Sequence, residues 1–199
     1  MKKTVLNVPN TLSLIRVLLV PAFVVAIIAM RDIEIWGLIV PSLIFAVTAL
    51  TDMLDGKIAR KYNLVTDFGK FMDPLADKLM VFGAMIGILV LNTVRDQSAL
   101  NIFNKVFAVA AFVIIFRELA VTSMRMVVSS AEGIVIAANI FGKLKTVSQI
   151  IGIIVILIEP IFNDVPYVSY VMLAVMVFTT LFSGLSYFKA YWPHINTNK

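Results

Sequence analysis

The sequence predicts an all-α integral membrane protein with six transmembrane helices and both termini in the cytoplasm. Of its 199 residues, 60% are hydrophobic and the mean hydropathy is +0.96, whereas soluble domains contain roughly 45–50% apolar residues. The apolar residues gather in six runs near the length of about 20 residues that a helix needs to cross the hydrocarbon core. Backbone groups in lipid must pair within their own segment, which favours helices over open strands. No composition shift marks a linker, so we expect residues 1–199 to form one domain.

Polar breaks separate the six predicted helices, for example RDIE at 31–34, NTVRDQS at 92–98 and EPIFNDVP at 159–166. The first apolar run is too long for a signal-peptide core and no cleavage site follows it, so we interpret it as a true first helix. Proline is tolerated only near a helix start, so Pro74 predicts that the third helix begins at about residues 69–71. The six helices cover roughly residues 11–30, 35–58, 70–92, 104–127, 134–158 and 166–189.

The basic residues predict the orientation of this bundle. Six spans put both termini on one side, and that side collects most of the lysines and arginines, which the positive-inside rule assigns to the cytoplasm. The opposite side has only Arg31, Arg95 and Lys105. The cytoplasmic set is Lys2, Lys3, Arg16, Lys57, Arg60, Lys61, Lys70, Lys78, Arg117, Arg125, Lys143, Lys145, Lys189 and Lys199.

Composition also excludes several kinds of chemistry. The chain has no cysteine, hence no disulfide, thiolate nucleophile or cysteine-bound metal, and its single histidine argues against a zinc site or a Ser-His triad. The net charge of +5 follows from the topological bias and from attraction to anionic lipid head groups, so nucleic acid is not an expected partner. Any metal must therefore be held by oxygen.

Aspartates cluster in residues 52–77, which contain five of the twelve acidic residues. Asp52 and Asp55 are three residues apart and Asp73 and Asp77 four apart, so each pair projects from one face of its helix. Like charges at that spacing repel unless cations lie between them. The short connection between the second and third helices can bring the two pairs face to face. Four carboxylates predict one or two hard divalent ions, Mg²⁺ or Mn²⁺.

Small residues accompany these carboxylates. Gly56 lies four residues after Asp52, Ala59 four after Asp55, and Gly69 four before Asp73. Where side chains are this small, a planar or phosphorylated ligand can approach the helix backbone. Arg60 can donate bidentate hydrogen bonds to a phosphate.

The combined pattern resembles the motif of the CDP-alcohol phosphotransferase family, whose members are membrane enzymes with six transmembrane helices. The resemblance implies that two divalent metals bind the four aspartates, that Asp77 is the general base on the acceptor hydroxyl, and that the active site lies at the cytoplasmic interface between helices 2 and 3. The matching positions read Asp52-x2-Asp55-Gly56-x2-Ala59-Arg60-x8-Gly69-x3-Asp73-x3-Asp77.

The same resemblance implies a binding site for a CDP-linked lipid and a homodimeric assembly. Asn10 and Thr11 precede the first predicted helix, where they either border the nucleotide pocket or cap the helix. The expected CDP-diacylglycerol site consists of Asn10, Thr51, Gly56, Ala59, Arg60 and Gly69.

Cations in the second half of the chain indicate the acceptor. Arg117 and Arg125 are about two turns apart on one face of the fourth helix, and Glu118 can offset or orient one of them. Together with Lys143 and Lys145 they predict a cytoplasm-facing pocket for an acceptor that carries a phosphate. The opening NVPNTLSLIRVLLVP, the Arg-Glu pair and GKLKT resemble bacterial members that make phosphatidylglycerophosphate and CMP from CDP-diacylglycerol and sn-glycerol 3-phosphate.

Three alternatives stay open at this point. Cardiolipin and phosphatidylserine synthases of the same family share the aspartate motif, although serine lacks the phosphate that a basic pocket suits. A divalent-cation transporter also carries aspartates in its helices, but it predicts them near mid-membrane and assigns no role to the small residues or to Arg60.

Overall fold

Six long helices make up most of the chain in the computed structural model, which describes residues 8–30, 32–33, 35–61, 66–95, 102–132, 140–162 and 166–195. Within these ranges the side chains of 8–9, 53–61, 67, 70–71, 94–95 and 131–132 lie outside the description. The described part contains no strand. Its long helices are α1 (Val8–Ala29), α2 (Trp36–Lys61), α3 (Asp67–Arg95), α4 (Ile102–Glu132), α5 (Ile140–Ile158) and α6 (Tyr167–Tyr191). Short 3₁₀ turns, Glu159–Ile161 and Trp192–His194, follow α5 and α6.

Length and composition make this an all-helical, multi-pass membrane protein. Helices α1, α3, α4, α5 and α6 are long and apolar enough to cross a bilayer, and α2 has a shorter apolar stretch, Trp36–Asp52. Large apolar side chains such as Leu18, Val109, Phe112 and Phe178 stand exposed on the outer faces of their helices, where only lipid would cover them without cost. The prediction of an all-α membrane protein is confirmed in this form.

Glycines allow α1 and α3 to pack closely. A Cβ atom on Gly83 would lie 2.6 Å from Val20 Cγ1, and one on Gly87 would lie 3.0 Å from Ile27 Cδ1. Small residues four apart are the usual device for close helix contact in membranes, where lipid tails are as apolar as the side chains. Helix α1 thereby packs extensively on both α2 and α3, while α2 and α3 touch each other only slightly.

Helix α3 begins at Asp67, earlier than the start at 69–71 that Pro74 led us to expect. Thr66 precedes the helix, and its Oγ1 accepts a hydrogen bond of 3.0 Å from the N–H of Gly69. This is an N-cap, which satisfies one of the free donors of the first turn. Pro74 therefore lies inside α3, and the cap at Thr66 rather than the proline sets the helix start.

Polar contacts show which helix ends lie together. Arg16 of α1 pairs with Asp52 of α2, Ser13 of α1 bonds Asp73 of α3, and Glu118 of α4 pairs with Lys145 of α5. Arg117 of α4 bonds Ser183 near the end of α6, and one cavity is lined by α3, α4, α5 and α6. The N-terminal parts of α1, α3 and α5 thus lie with the C-terminal parts of α2, α4 and α6. We call this the site end of the bundle, because the predicted site residues that the structure describes are found there.

The opposite end contains a buried carboxylate with a structural role. Glu159 follows α5, and its side chain accepts hydrogen bonds from the backbone N–H groups of Val168 and Ser169, 2.8 and 2.6 Å long, and from the Ser169 hydroxyl. These amides belong to the first turn of α6, where a carboxylate also complements the helix dipole. Glu159 thereby ties the start of α6 to the end of α5.

Candidate active site

Helix α1 contacts the carboxylates of both neighbouring helices through one turn. Ser13 Oγ donates to Asp73 Oδ1 at 2.6 Å, and Arg16 Nη1 lies 2.5 Å from Asp52 Oδ1. Ser13 and Arg16 are both fully buried. A buried arginine inside an apolar helix is costly unless it is paired, so the ion pair with Asp52 explains why the cation is tolerated at this position.

The four predicted metal ligands are carboxylates of α2 and α3. Asp52, Asp73 and Asp77 have described side chains, whereas the side chain of Asp55 lies outside the described residues. Among the described side chains, no three histidine, aspartate or glutamate residues lie close enough together to hold a metal ion. Carboxylate oxygens are the donors that Mg²⁺ and Mn²⁺ prefer, so the donor chemistry fits and the four-ligand site stays a prediction.

Part of the predicted nucleotide site is brought together by the N-terminus of α1. Asn10 Nδ2 donates to Thr66 Oγ1 at 2.8 Å, and this same hydroxyl caps α3 beside Gly69. A Cβ atom on Gly69 would lie 2.8 Å from Asn10 Oδ1. An alanine here would force the Asn10 side chain to shift, so Gly69 gives Asn10 room to contact the start of α3.

The remaining predicted nucleotide residues are on α2. Thr51 is half-buried, and its hydroxyl donates to the Val47 carbonyl at 2.7 Å, a bond within its own helix. Gly56, Ala59 and Arg60 lie on the helical backbone of α2, with side chains outside the described residues. Their role in binding the nucleotide stays a prediction.

A second group of predicted residues lines a cavity of about 460 Å³ between α3, α4, α5 and α6. Asp77, the predicted general base, is on its wall. The four predicted acceptor-phosphate residues, Arg117, Arg125, Lys143 and Lys145, line the same cavity. Residues 40 or more positions distant from Asp77 in the chain are thus neighbours of it in space.

Glu118 organises the buried part of this cavity. Its Oε1 accepts from Lys145 Nζ at 2.7 Å and from Arg117 Nη1 at 3.2 Å. Arg117 Nη2 also donates to Ser183 Oγ of α6 at 2.8 Å. Glu118 therefore pairs with two cations rather than the single arginine that the sequence suggested, and it compensates charge that would otherwise be buried alone.

The outer part of the cavity carries the two exposed cations, Arg125 and Lys143. The guanidinium carbon of Arg125 lies 5.5 Å from the centre of the Tyr187 ring, and that of Arg117 lies 5.8 Å from it. Arginine over an aromatic face at this range is attracted by the ring quadrupole. The wall thus combines two buried paired cations with two exposed ones and with the half-buried Lys78 of α3.

The sequence assigns no site role to several residues that contact the predicted site, among them Ser13, Arg16, Thr66, Lys78, Ser183 and Tyr187. We assigned Arg16 to the positive-inside bias, although a cation one and a half turns inside an apolar run is a signal of pairing. Tyr187, near the end of the last predicted helix, fits an interfacial aromatic belt and so gives no sequence signal of a site. Ser13 and Ser183 have no sequence signal, because a lone serine in a membrane helix usually bonds its own backbone.

Comparisons with known proteins show the family to which this chain is similar. The family model described as CDP-alcohol phosphatidyltransferase matches residues 6–182. A protein of Bacillus subtilis (strain 168) named CDP-diacylglycerol–glycerol-3-phosphate 3-phosphatidyltransferase is 38% identical, covering 96% of this chain and 98% of the relative. Relatives of the same name from Pseudomonas fluorescens and Rickettsia felis are 33% and 29% identical. Those alignments cover 97% and 92% of this chain, and 94% of each relative.

Proposed function

Because the chain belongs to the CDP-alcohol phosphatidyltransferase family, we propose that it transfers the phosphatidyl group of CDP-diacylglycerol to sn-glycerol 3-phosphate. The products are phosphatidylglycerophosphate and CMP, which makes the chain an enzyme of phosphatidylglycerol synthesis. Relatives that align over almost their whole length carry the name of this activity. The observation that supports the choice of acceptor is the cavity in which Asp77 lies together with the four predicted cations and with Lys78.

The cavity suits an acceptor with a hydroxyl at one end and a phosphate at the other. Arg125 and Lys143 are exposed and can bond phosphate oxygens directly, while Arg117 and Lys145 add positive charge from the buried wall. Glycerol 3-phosphate is small enough for a space of about 460 Å³ and has this arrangement of groups. Serine lacks the phosphate that the exposed Arg125 and Lys143 could bind.

Asp77 is our proposed general base. Its carboxylate takes the proton of the acceptor hydroxyl while the oxygen attacks the lipid-side phosphorus of CDP-diacylglycerol. One P–O bond forms, the P–O bond to CMP breaks, and the electron pair leaves with CMP. The displacement needs no covalent enzyme intermediate.

Asp52, Asp55, Asp73 and Asp77 would hold two divalent ions, Mg²⁺ or Mn²⁺. When bound, such ions neutralise the pyrophosphate and make CMP a better leaving group. Ser13 and Arg16 orient two of these carboxylates through the contacts of 2.6 and 2.5 Å, as hydrogen-bonding partners commonly do for metal ligands.

The donor lipid would bind beside α1, α2 and α3. Asn10 and Gly69 lie at the site end next to Thr66, and the nearby α2 positions Gly56, Ala59 and Arg60 would complete the nucleotide pocket. At a helix end, the nucleotide stays in water while the acyl tails stay in lipid. We also propose that the site end faces the cytoplasm, following the basic residues there, and that the enzyme is a homodimer, as the family resemblance implies.

The decisive experiment measures CMP release from CDP-diacylglycerol by the purified protein in mixed micelles. Acceptors are tested singly: glycerol 3-phosphate, phosphatidylglycerol, serine and glycerol. Glycerol is the matched control, because it has the hydroxyls without the phosphate. We expect turnover with glycerol 3-phosphate only. Turnover with phosphatidylglycerol alone would assign a cardiolipin synthase, and no CMP release together with metal flux in proteoliposomes would assign a transporter.

A further inference from the structure

Tyr187 is the residue through which α6 reaches the acceptor cavity. The described residues that line this cavity come mainly from α3, α4 and α5, and α6 contributes Tyr187. Its side chain is 6% exposed, so the ring is part of the packed wall and not a mobile surface group. The established family motif in α2 and α3 assigns no role to this helix.

The ring lies within cation–π range of two cations. Arg117 and Arg125 are about two turns apart on α4, and their guanidinium carbons lie 5.8 and 5.5 Å from the centre of the ring. Isolated arginines at this spacing on one helix face repel each other. The electron-rich face of an aromatic ring attracts both and offsets that repulsion.

Tyr187 packs closely on α5, and Arg117 packs closely on α6. A Cβ atom on Gly142 of α5 would lie 3.2 Å from the Tyr187 hydroxyl oxygen, so this glycine gives the phenol room to reach α5. One turn earlier on α6, Ser183 accepts a bond from Arg117 Nη2, and a Cβ atom on Gly184 would lie 3.0 Å from Arg117 Cγ. The face of α6 that carries Tyr187 therefore also packs along the side chain of Arg117.

Arg125 is the cation that gains most from this arrangement. It is exposed, and an arginine side chain that is not already held in place loses rotamer entropy when it closes on a phosphate. Contact with a buried ring limits its rotamers before the ligand arrives. Preorganisation of this kind strengthens binding of the phosphate without changing the chemistry at Asp77.

We propose that Tyr187 is a positioning residue for the acceptor phosphate, because its buried ring holds the guanidinium groups of Arg117 and Arg125 at the cavity wall. The inference rests on the proposed function for the identity of the acceptor. It assigns specificity for a phosphorylated acceptor to α6 as well as to α4 and α5. The phenol hydroxyl is not the group that acts; the aromatic face is.

The test compares Tyr187→Leu, which removes the ring, with Tyr187→Phe, which keeps it. Phe188→Leu is the matched control, since it removes the next ring along α6, which is exposed and lies outside the cavity. The KM for glycerol 3-phosphate should rise about tenfold in Tyr187→Leu, the effect of one or two partly desolvated cation–π contacts. The kcat and the KM for CDP-diacylglycerol should change less than about twofold. Tyr187→Phe and Phe188→Leu should behave as wild type.

Three results would overturn the proposal. One is an unchanged KM for glycerol 3-phosphate in Tyr187→Leu. The second is equal impairment of Tyr187→Phe, which would assign the effect to the hydroxyl. The third is a parallel change in both KM values and in melting temperature, which would indicate a packing role. Tyr187→Met serves as the ringless variant if the leucine variant does not fold.

A binding measurement separates this inference from the proposed function. Glycerol 3-phosphate should raise the melting temperature of the wild type by mass action, and Tyr187→Leu should reduce that rise at a fixed ligand concentration. If the wild type binds glycerol 3-phosphate but releases no CMP with it, the proposed function fails while a reduced shift still supports the role of Tyr187. If the shift is equal in both proteins, the role of Tyr187 is refuted whatever the activity.

Discussion

Arg16 of α1 and Asp52 of α2 form an ion pair in which Nη1 and Oδ1 are 2.5 Å apart, and the arginine side chain is fully buried while the aspartate keeps 29% exposure. The pair connects a helix outside the aspartate motif to the first residue of that motif. One turn earlier, Ser13 makes the corresponding contact with Asp73. Helix α1 is therefore part of the site's framework, and its polar residues orient carboxylates that α2 and α3 supply.

Replacing Arg16 with methionine should destabilise the protein, because Asp52 loses its partner next to an apolar helix. Losing one member of a fully buried pair costs roughly 3–5 kcal/mol. Because Asp52 is partly exposed, we expect the free energy of unfolding to fall by about 2 kcal/mol. Thermal unfolding in detergent measures the change. Lys105→Met, at an exposed position at the opposite end, is the control, and equal melting temperatures for the two variants would contradict a structural role for the pair.

Gly69→Ala should weaken binding of CDP-diacylglycerol. The added Cβ would lie 2.8 Å from Asn10 Oδ1, so Asn10 must move away from Thr66 at the predicted nucleotide site. We expect the KM for CDP-diacylglycerol to rise about tenfold or more, the effect of one misplaced methyl group in a fitted pocket. Steady-state kinetics at saturating glycerol 3-phosphate measure it.

Gly83→Ala is the matched control for that variant. Its Cβ would lie 2.6 Å from Val20 Cγ1, so it also forces α1 and α3 apart, but toward the middle of the bundle. Overpacking of this kind costs about 1–3 kcal/mol of stability. The melting temperature should fall while the KM for CDP-diacylglycerol stays the same. A similar KM change in both variants would show that Gly69 serves helix packing alone.

Asp77→Asn should abolish turnover and leave lipid binding largely intact. The amide cannot accept the proton of the acceptor hydroxyl, and loss of a general base typically lowers kcat by about 10²–10⁴-fold. CMP release measures the rate, and binding of labelled CDP-diacylglycerol measures the affinity. Asp32→Asn, exposed at the other end of the bundle, should retain wild-type turnover. Activity of Asp77→Asn near the wild-type level would remove the assignment.

Removal of divalent ions should stop CMP release. Carboxylate ligands prefer Mg²⁺ and Mn²⁺, so treatment with EDTA should abolish activity and addition of either ion should restore it. Mn²⁺ also permits a direct binding measurement by electron paramagnetic resonance. In that measurement, Asp52→Asn should lower the affinity for Mn²⁺ about 10-fold or more. Losses of this size follow when a metal ligand loses its hydrogen-bonding partner. Full activity in EDTA would refute the metal site.

The orientation can be tested with single cysteines, because the natural sequence contains none. Lys189 near the end of α6 and Lys105 near the start of α4 are both exposed and lie at opposite ends of the bundle. With the site end in the cytoplasm, a membrane-impermeant maleimide should label Lys105→Cys in intact cells. It should label Lys189→Cys only after permeabilisation. The reverse pattern would place the site on the outer face.

The features that depend on residues close together in the chain, the apolar helices and the aspartate motif, are predicted by the sequence. Hydropathy indicated the apolar helices because burial in lipid depends on composition over about 20 residues, and no tertiary contact is needed to see it. The aspartate motif was visible because i, i+3 and i+4 spacings put residues on one face of any helix. The predicted start of α3 is wrong, because the N-cap at Thr66, and not Pro74, determines where the helix begins.

The tertiary structure alone decided which faces of distant helices meet. Nothing in the spacing of Ser13 and Arg16 points to Asp73 and Asp52, and the sequence places Lys145 in the pocket without indicating that it pairs with Glu118. Such pairs depend on how each helix is rotated and packed. In lipid, that rotation is set by small residues and by polar contacts between helices rather than by hydropathy. The aspartates were therefore readable along the chain, whereas the partners that orient them, and Tyr187 beneath its two arginines, became visible only once the helices were packed.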